Sequence, residues 1–168
     1  MIEAGLRLAD STGIAGMSVN RVVAEAGVAK GSFFHHFGDR TGYLLALHRA
    51  FHDRLLTDSL RVTTALPPGP QRLLTGAAAY LDACLQSRGV RALLLEARAI
   101  PEIASEIRSR NEQVARLCEP NFTAMGWQYP LDSARLWIGM VAEAALIEFD
   151  ARAAQSPLRS ALRNYLRV

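Results

Sequence analysis

An all-α fold is what this sequence of 168 residues predicts. Three observations carry that reading. Half of the residues are apolar, few stretches look strand-like, and alanine, leucine and arginine abound, as they do in helical proteins. The length allows one sizeable domain or two small ones that share an interface. The expected division is an N-terminal three-helix helix-turn-helix domain over residues 1–45, followed by a C-terminal helical domain over residues 46–168.

Ile2 to Ser11 reads as a first helix, with Leu6, Ala9 and Ile2 facing inward, and Thr12 to Gly16 as the turn after it. Ser18 is a good N-cap for a second helix. Val19, Val22, Val23 and Ala26 recur there at i, i+3, i+4 and i+7 and give it one apolar face. Gly27 stops that helix where a left-handed residue is wanted, and Val28 tucks in behind it. A short third helix follows from Lys30 to Phe34. Phe33 and Phe37 turn inward together, which leaves Lys30, Ser32, Phe34 and His36 nearer the outer side. A helix, a glycine turn and a short helix that starts with a cation and a hydroxyl present a recognition helix to the DNA major groove in helix-turn-helix proteins.

The stretch AGVAKGSFFHHFGDR resembles the N-terminal domain of the TetR family of bacterial transcription regulators, whose usual form there is AGVSxGTxYxHFxxK. Ala26, Gly27, Val28, Gly31 and Phe37 match together, Leu44 follows, and Ser32 stands for Thr and Arg40 for Lys. This is more specific than a bare helix-turn-helix pattern. Phe34 departs from the family, which usually has a tyrosine whose hydroxyl reaches a phosphate. The resemblance implies that Asn20, Lys30 and Gly31 reach base edges. Lys30 would donate to guanine, and Gly31 would let the backbone approach closely. It places Ser18, Ser32, Phe34, His36 and Arg40 along phosphates, with Arg21 as a helper, and leaves Val19, Val22, Val23, Phe33 and Phe37 to hold the three-helix core. The first helix often follows a basic arm in the family, whereas this sequence begins almost inside the helix.

Asp39 caps a long helix from about Arg40 to Leu60 that carries Tyr43, Leu44, Leu47, Phe51, Leu55 and Leu56 on one face. The family uses this helix to join its DNA-binding and ligand-binding parts, and tilt of so stiff a rod moves the recognition helix. All four histidines, His35, His36, His48 and His52, lie in this part of the chain. His48 and His52 share a helical face, but no cysteine or well-placed carboxylate completes a metal site.

Ala65 to Pro70, ALPPGP, is the clearest boundary, since it cannot continue a helix. The next helix, from Gln71 to about Ser87, carries Leu73, Leu74, Ala77, Leu81, Cys84 and Leu85 and ends at Gly89. Val90 to Ala99 reads as a short helix, and Pro101 opens another through Ile103, Ile107, Val114 and Leu117, which Pro120 should kink or break. Leu131 to about Ala154 is the most apolar helix, capped by Asp132 or Ser133. Leu136, Met140 and Ile147 form one stripe, with Trp137, Val141 and Phe149 on adjoining faces. Such a helix needs cover on more than one side. The last helix, Ser156 to Leu166, gathers Leu158, Ala161, Leu162 and Tyr165. In the resembling family the last two helices build a four-helix bundle across a two-fold axis, which implies a homodimer.

Several classes of function are disfavoured. No phosphate loop, nucleophile elbow or HExxH motif is present, so no catalytic residues, cofactor or metal are expected. Glu3, Arg7 and Asp10 interrupt what would be a signal-peptide core. The longest apolar run, Trp137 to Phe149, is broken by Glu143 and Glu148 and is too short for a membrane span, so a soluble cytoplasmic protein with no membrane partner is expected. Cys84 and Cys118 have neither metal nor CxxC spacing and read as core residues. Net charge is +3, and Met1 to Arg61 holds seven Lys and Arg against six Asp and Glu, so bulk charge does not itself indicate DNA.

By resemblance, the protein is expected to be a transcriptional repressor. It would bind a pseudo-palindromic double-stranded operator as a homodimer and be released by a small molecule held in the C-terminal helices. Candidate pocket residues are Leu81, Cys84, Leu85, Leu94, Arg98, Ile103, Ile107, Trp127, Trp137, Met140 and Glu143. Glu143 interrupts an apolar stretch, and a buried carboxylate needs a partner: Arg98 is one candidate, and a polar or cationic group of the ligand is the sharper alternative. The competing reading is a helical small-molecule-binding or dimerisation module with a degenerate DNA-binding domain, favoured by Phe34, the missing basic arm and the weak net charge.

Overall fold

The computed structural model describes residues 1–86, 89, 93 and 95–166. Among the described residues the chain is helical and has no strand. The helices are α1 (Ile2–Thr12), α2 (Val19–Ala26), α3 (Lys30–Phe37), α4 (Arg40–Thr63), α5 (Pro70–Gln86), a 3-10 turn (Glu96–Ala99), α6 (Pro101–Ala124), α7 (Pro130–Ala151) and α8 (Ser156–Tyr165). Packing groups them into two compact units. Unit 1 is Met1–Arg54 with the described part of Ser87–Ile107, and unit 2 is Leu55–Gln86 with the described part of Arg108–Val168. These units follow contacts, whereas the division at residue 45 follows the sequence motif. The turn at 96–99 thus packs in the same unit as the helix-turn-helix.

In unit 1, α1 buries Ala4, Leu6, Leu8 and Ala9, packs on α2, and α2 packs on α3. Val22 and Phe33 are the residues that α2 and α3 bury most completely. On the inner side Phe33 meets Phe37 at 5.3 Å and Tyr43 at 5.1 Å between centroids, and Phe37 lies 5.0 Å from Tyr43. This aromatic trio joins α3 to α4. The Tyr43 hydroxyl donates to the Met1 carbonyl at 3.1 Å, and burial pushes its pKa up to about 12. Gly5 is required beneath that hydroxyl, because a Cβ there would run into Tyr43 Oη and Leu47. Tyr43, Leu44, Leu47 and Phe51 of α4 are buried, as their spacing predicts.

In unit 2, α5 packs most widely on α7, and α8 packs on both. Leu73, Ala77, Leu81 and Cys84 face Trp137, Val141, Ala144 and Ala145 across that core, with Leu162 from α8. A string of rings runs from Phe122 to Trp127 at 5.1 Å, then to Tyr165 at 5.4 Å, which also stacks on Trp137 at 6.2 Å.

Two expectations meet the structure here. Of the kink or break expected at Pro120, the break does not occur: α6 continues to Ala124 with Pro120 inside it. An interior proline costs about 3 kcal/mol, but the turn beyond it is held by packing. Phe122 is fully buried, and the buried Asn121 side chain accepts from Gly69 N–H at 3.1 Å and donates to the Cys118 carbonyl at 2.9 Å. Nor is α7 capped by Asp132 or Ser133. Tyr129 is its N-cap residue, without a side-chain bond, Pro130 opens the helix, and Asp132 pairs instead with Arg135 at 2.7 Å. The short helix expected from Val90 is described only as the turn at 96–99, since Val90, Arg91, Ala92 and Leu94 lie outside the described residues.

Arg152 ends α7 in the left-handed conformation, with φ of 53°. A side chain there costs roughly 1 kcal/mol that glycine does not incur. Arg152→Gly is therefore expected to raise the stability of unit 2 by roughly 1 kcal/mol, less the helix-dipole interaction of the arginine. A lower midpoint in urea unfolding would contradict this.

Candidate nucleic-acid interface

The helix-turn-helix is built by local chemistry. Ser18 Oγ accepts from Arg21 N–H at 3.3 Å and caps α2 as expected. Gly27 takes the left-handed conformation, φ 65° and ψ 33°, and the Val28 N–H reaches back to the Val23 carbonyl at 3.1 Å. That pair of features closes α2 and turns the chain into α3. Asp39 Oδ1 accepts from Gly42 N–H at 2.7 Å and starts α4.

On α3, Lys30, Gly31, Ser32, Phe34 and His36 are all exposed, while Phe33 is 0% exposed. Phe34 is 45% exposed and leans edge-on against Phe33 at 5.6 Å. Gly31 is the informative position. A Cβ built there meets nothing within 4 Å, and its backbone is not left-handed, so the fold makes no demand for glycine. Glycine inside a helix costs about 1 kcal/mol relative to alanine, and here no intramolecular contact accounts for it. Asn20 is exposed on α2.

Two basic residues of the predicted set are engaged within unit 1. Arg40 donates from Nη2 to the Ile14 carbonyl at 2.6 Å and from Nε to the Met17 carbonyl at 2.7 Å. It ties the start of α4 to the loop that enters α2. Arg21 Nη1 donates to the Gly16 carbonyl at 3.3 Å on the same loop. Lys30 therefore remains the exposed cation on α3 itself.

The residues proposed for a ligand fall in both units. Leu81, Cys84 and Trp137 are buried in unit 2, where Leu85, Trp127 and Met140 are half-buried. Ile103, buried, Ile107, half-buried, and Arg98, exposed, belong to unit 1. Leu94 lies outside the described residues.

Glu143 is exposed, which corrects the premise of a buried carboxylate there. It stands on the outer stripe of α7 with Leu136, 64% exposed, and Ile147, 43% exposed. The buried carboxylate is Glu148, one turn on and round the helix. It accepts from Arg159 at 2.8 and 2.7 Å and from Gln155 N–H at 2.9 Å. Burial pushes the Cys84 thiol up to about 12 and the Cys118 thiol to about 11, so neither offers a thiolate near neutrality. The rings of His48 and His52 lie 4.2 Å apart, tilted by 42° to one another. Among the described residues no group of three or more His, Cys, Asp or Glu is placed to hold a metal. Among them, too, no helix is long and apolar enough to cross a membrane.

Residues 1–47 match the family described as bacterial regulatory proteins, tetR family. Comparison with curated protein sequences gives no match. Solved structures share the fold over nearly the whole chain. The transcriptional regulator FadR from Bacillus subtilis, in complex with stearoyl-CoA, superposes with a TM-score of 0.81 at 13% identity, covering 98% of this chain and 95% of that one. A TetR-like transcriptional regulator from Rhodococcus sp. RHA1 gives 0.80 at 12% identity over 99% and 91%. E. coli NemR in its reduced form gives 0.75 at 20% identity over 99% and 94%. The helix-turn-helix of residues 1–47 is thus that of the tetR family of bacterial regulatory proteins, on a chain with the fold of that family's regulators.

Proposed function

We propose that the protein is a transcriptional repressor of the cytoplasm that binds a pseudo-palindromic operator as a homodimer and is released by a small-molecule effector. The observation that carries DNA binding is the outer face of α3, where Lys30, Ser32, Phe34 and His36 surround a glycine that the fold does not require. A bare backbone at Gly31 suits a helix pressed against base edges, and Lys30 beside it is a donor for guanine O6 or N7. Asn20 extends the same reading onto α2. The DNA-binding part is the segment 1–45, and residues 46–168 serve effector binding and dimerisation.

Dimerisation through α7 and α8 is supported by the two-sided character of α7. Trp137, Val141 and Ala144 face the core of unit 2, whereas Leu136, Gly139 and Ile147, with the charged Glu143 among them, form an outer, largely apolar stripe in which Gly139 permits close approach. The effector is assigned to Leu81, Cys84, Leu85, Trp127, Trp137 and Met140 of unit 2, by analogy with the FadR fold relative that carries stearoyl-CoA.

The test is selection from a random duplex library with a salt titration. An enriched pseudo-palindrome and a steep fall of affinity with salt are expected, because phosphate neutralisation releases counterions. Binding without enrichment or salt dependence would favour a degenerate DNA-binding domain. On the selected operator, Lys30→Ala is expected to cost about 1–3 kcal/mol of specific affinity with little change in thermal midpoint, since the exposed Lys30 side chain forms no part of the core. Arg40→Ala is expected to lower stability as well as affinity, since it frees two carbonyls at the entrance to α2.

A further inference from the structure

The loop between α1 and α2 is held from both sides. Gly13 ends α1 at φ 63°, and the next residue, Ile14, buries its side chain. A backbone N–H beside that buried group needs an acceptor. The acceptor comes from far along the chain: Ile14 N–H donates to Glu96 Oε2 at 2.9 Å, 82 residues away, in the 3-10 turn of unit 1. Gly13 makes room for it, because a Cβ there would lie 2.6 Å from Glu96 Oε2 and 3.3 Å from Glu96 Cδ. From the other side, Arg40 holds the Ile14 and Met17 carbonyls. The peptide groups on both sides of Ile14 are therefore fixed by charged side chains, one from α4 and one from the 96–99 turn. Ser18, the cap of α2, follows Met17 directly, so the position of this loop sets where α2 begins and where α3 is carried.

The turn itself is anchored in the same unit. Ala97, Leu93 and Ile103 are buried, and a Cβ at Gly89 would lie 2.8 Å from Ala9 Cβ. Arg49 of α4 grips Glu106 with two bonds, at 3.0 and 2.8 Å. Glu96 is thus carried on a firm base, and its carboxylate is the part that reaches the loop.

We propose that Glu96 is a positioning residue for operator binding: through the Ile14 N–H it fixes the entrance of the helix-turn-helix, and operator affinity is set in part from the 96–99 turn. This rests on α2 and α3 being the DNA reader. A charge-assisted hydrogen bond of this kind is worth about tenfold in an equilibrium constant or more.

The experiment uses the full chain and the operator that the wild type selects. Glu96→Ala and Glu96→Asp are compared with Glu96→Gln for specific affinity, non-specific affinity and hydrogen exchange of the Ile14 amide, well below every thermal midpoint. Glutamine offers an amide oxygen at the same reach, while aspartate keeps the charge but is one methylene short. The expected result is a loss of about tenfold in specific affinity for Ala and Asp, unchanged non-specific affinity, and faster Ile14 exchange, with Gln, which keeps the acceptor but not its charge, between wild type and Ala in affinity and in exchange. Wild-type affinity in Glu96→Ala would overturn the proposal and leave the DNA reading intact. So would a loss of affinity without faster Ile14 exchange, or a Gln variant as impaired as Ala. A wild type that selects no operator would instead remove the DNA reading, and this proposal with it.

Discussion

Phe33→Ala should destabilise unit 1 by about 3–5 kcal/mol, the range for emptying a fully buried phenylalanine site. Phe33 is 0% exposed and touches both other rings of the aromatic trio, so its loss removes the contacts to Phe37 and Tyr43 and leaves only the one between those two. Few neighbours can collapse into the space, because Tyr43 is fixed by its bond to Met1 and by Gly5 beneath it. The adjacent phenylalanines provide internal controls. Phe37→Ala, at a half-buried site, should cost less than Phe33→Ala. Phe34→Ala, at an exposed one, should change stability by no more than about 0.5 kcal/mol while weakening operator binding. Hydrogen exchange of α1 to α3 amides measures unit 1 directly, and Trp127 and Trp137, the two tryptophans of the sequence, both report on unit 2. Equal stability losses at Phe33 and Phe34 would contradict the assignment of inner and outer faces on α3.

Those faces were legible in the sequence because they follow from spacing alone. Ser18, Gly27 and Asp39 act through bonds to residues within five positions, and Tyr43, Leu44, Leu47 and Phe51 through a single helical period. Local rules suffice for both. What the sequence did not disclose was how charged side chains pair over long distances. Glu96 carries no local mark of its bond to Ile14, and the position of Arg40 in the motif, which places it along phosphates, says nothing of the two carbonyls that it also binds. The same limit explains Glu143 and Glu148. Both interrupt one apolar run, and a difference of five residues on a helix puts them on different faces, with only the position of α8 deciding which is buried. Pro120 shows packing overriding a local preference: Asn121 and Phe122 hold a turn that proline alone would have ended.

Arg159→Met should destabilise unit 2 by about 3–5 kcal/mol at neutral pH, because it leaves Glu148 charged, buried and without its cation. Glu148 is 0% exposed on α7, and Arg159 of α8 binds both of its oxygens and also reaches Asp82 of α5 at 2.7 Å. One guanidinium therefore ties three helices together. The hydrogen bonds from Arg159, with the Gln155 N–H, hold the Glu148 pKa below its ordinary 4.5 despite burial. A lowered carboxylate pKa contributes stability that is fully present above the unfolded value, near 4.5, and is lost as pH falls through the folded one. In Arg159→Met the cation that lowers the pKa is gone, so protonating Glu148 relieves the buried charge. The gap between variant and wild type is accordingly widest near neutrality, begins to narrow above 4.5 as the unpaired, buried Glu148 of the variant takes up its proton, and narrows further below 4.5 as the wild type loses its ion pair. Removing both charges, as Glu148→Leu with Arg159→Met, should cost less than Arg159→Met alone, because no ion is left unpaired in the core. Urea unfolding of the wild type and the two variants at pH 7 and pH 4 reads all of this through the tryptophan signal. A gap that stays constant with pH would mean that Arg159 contributes packing across α5, α7 and α8 rather than charge.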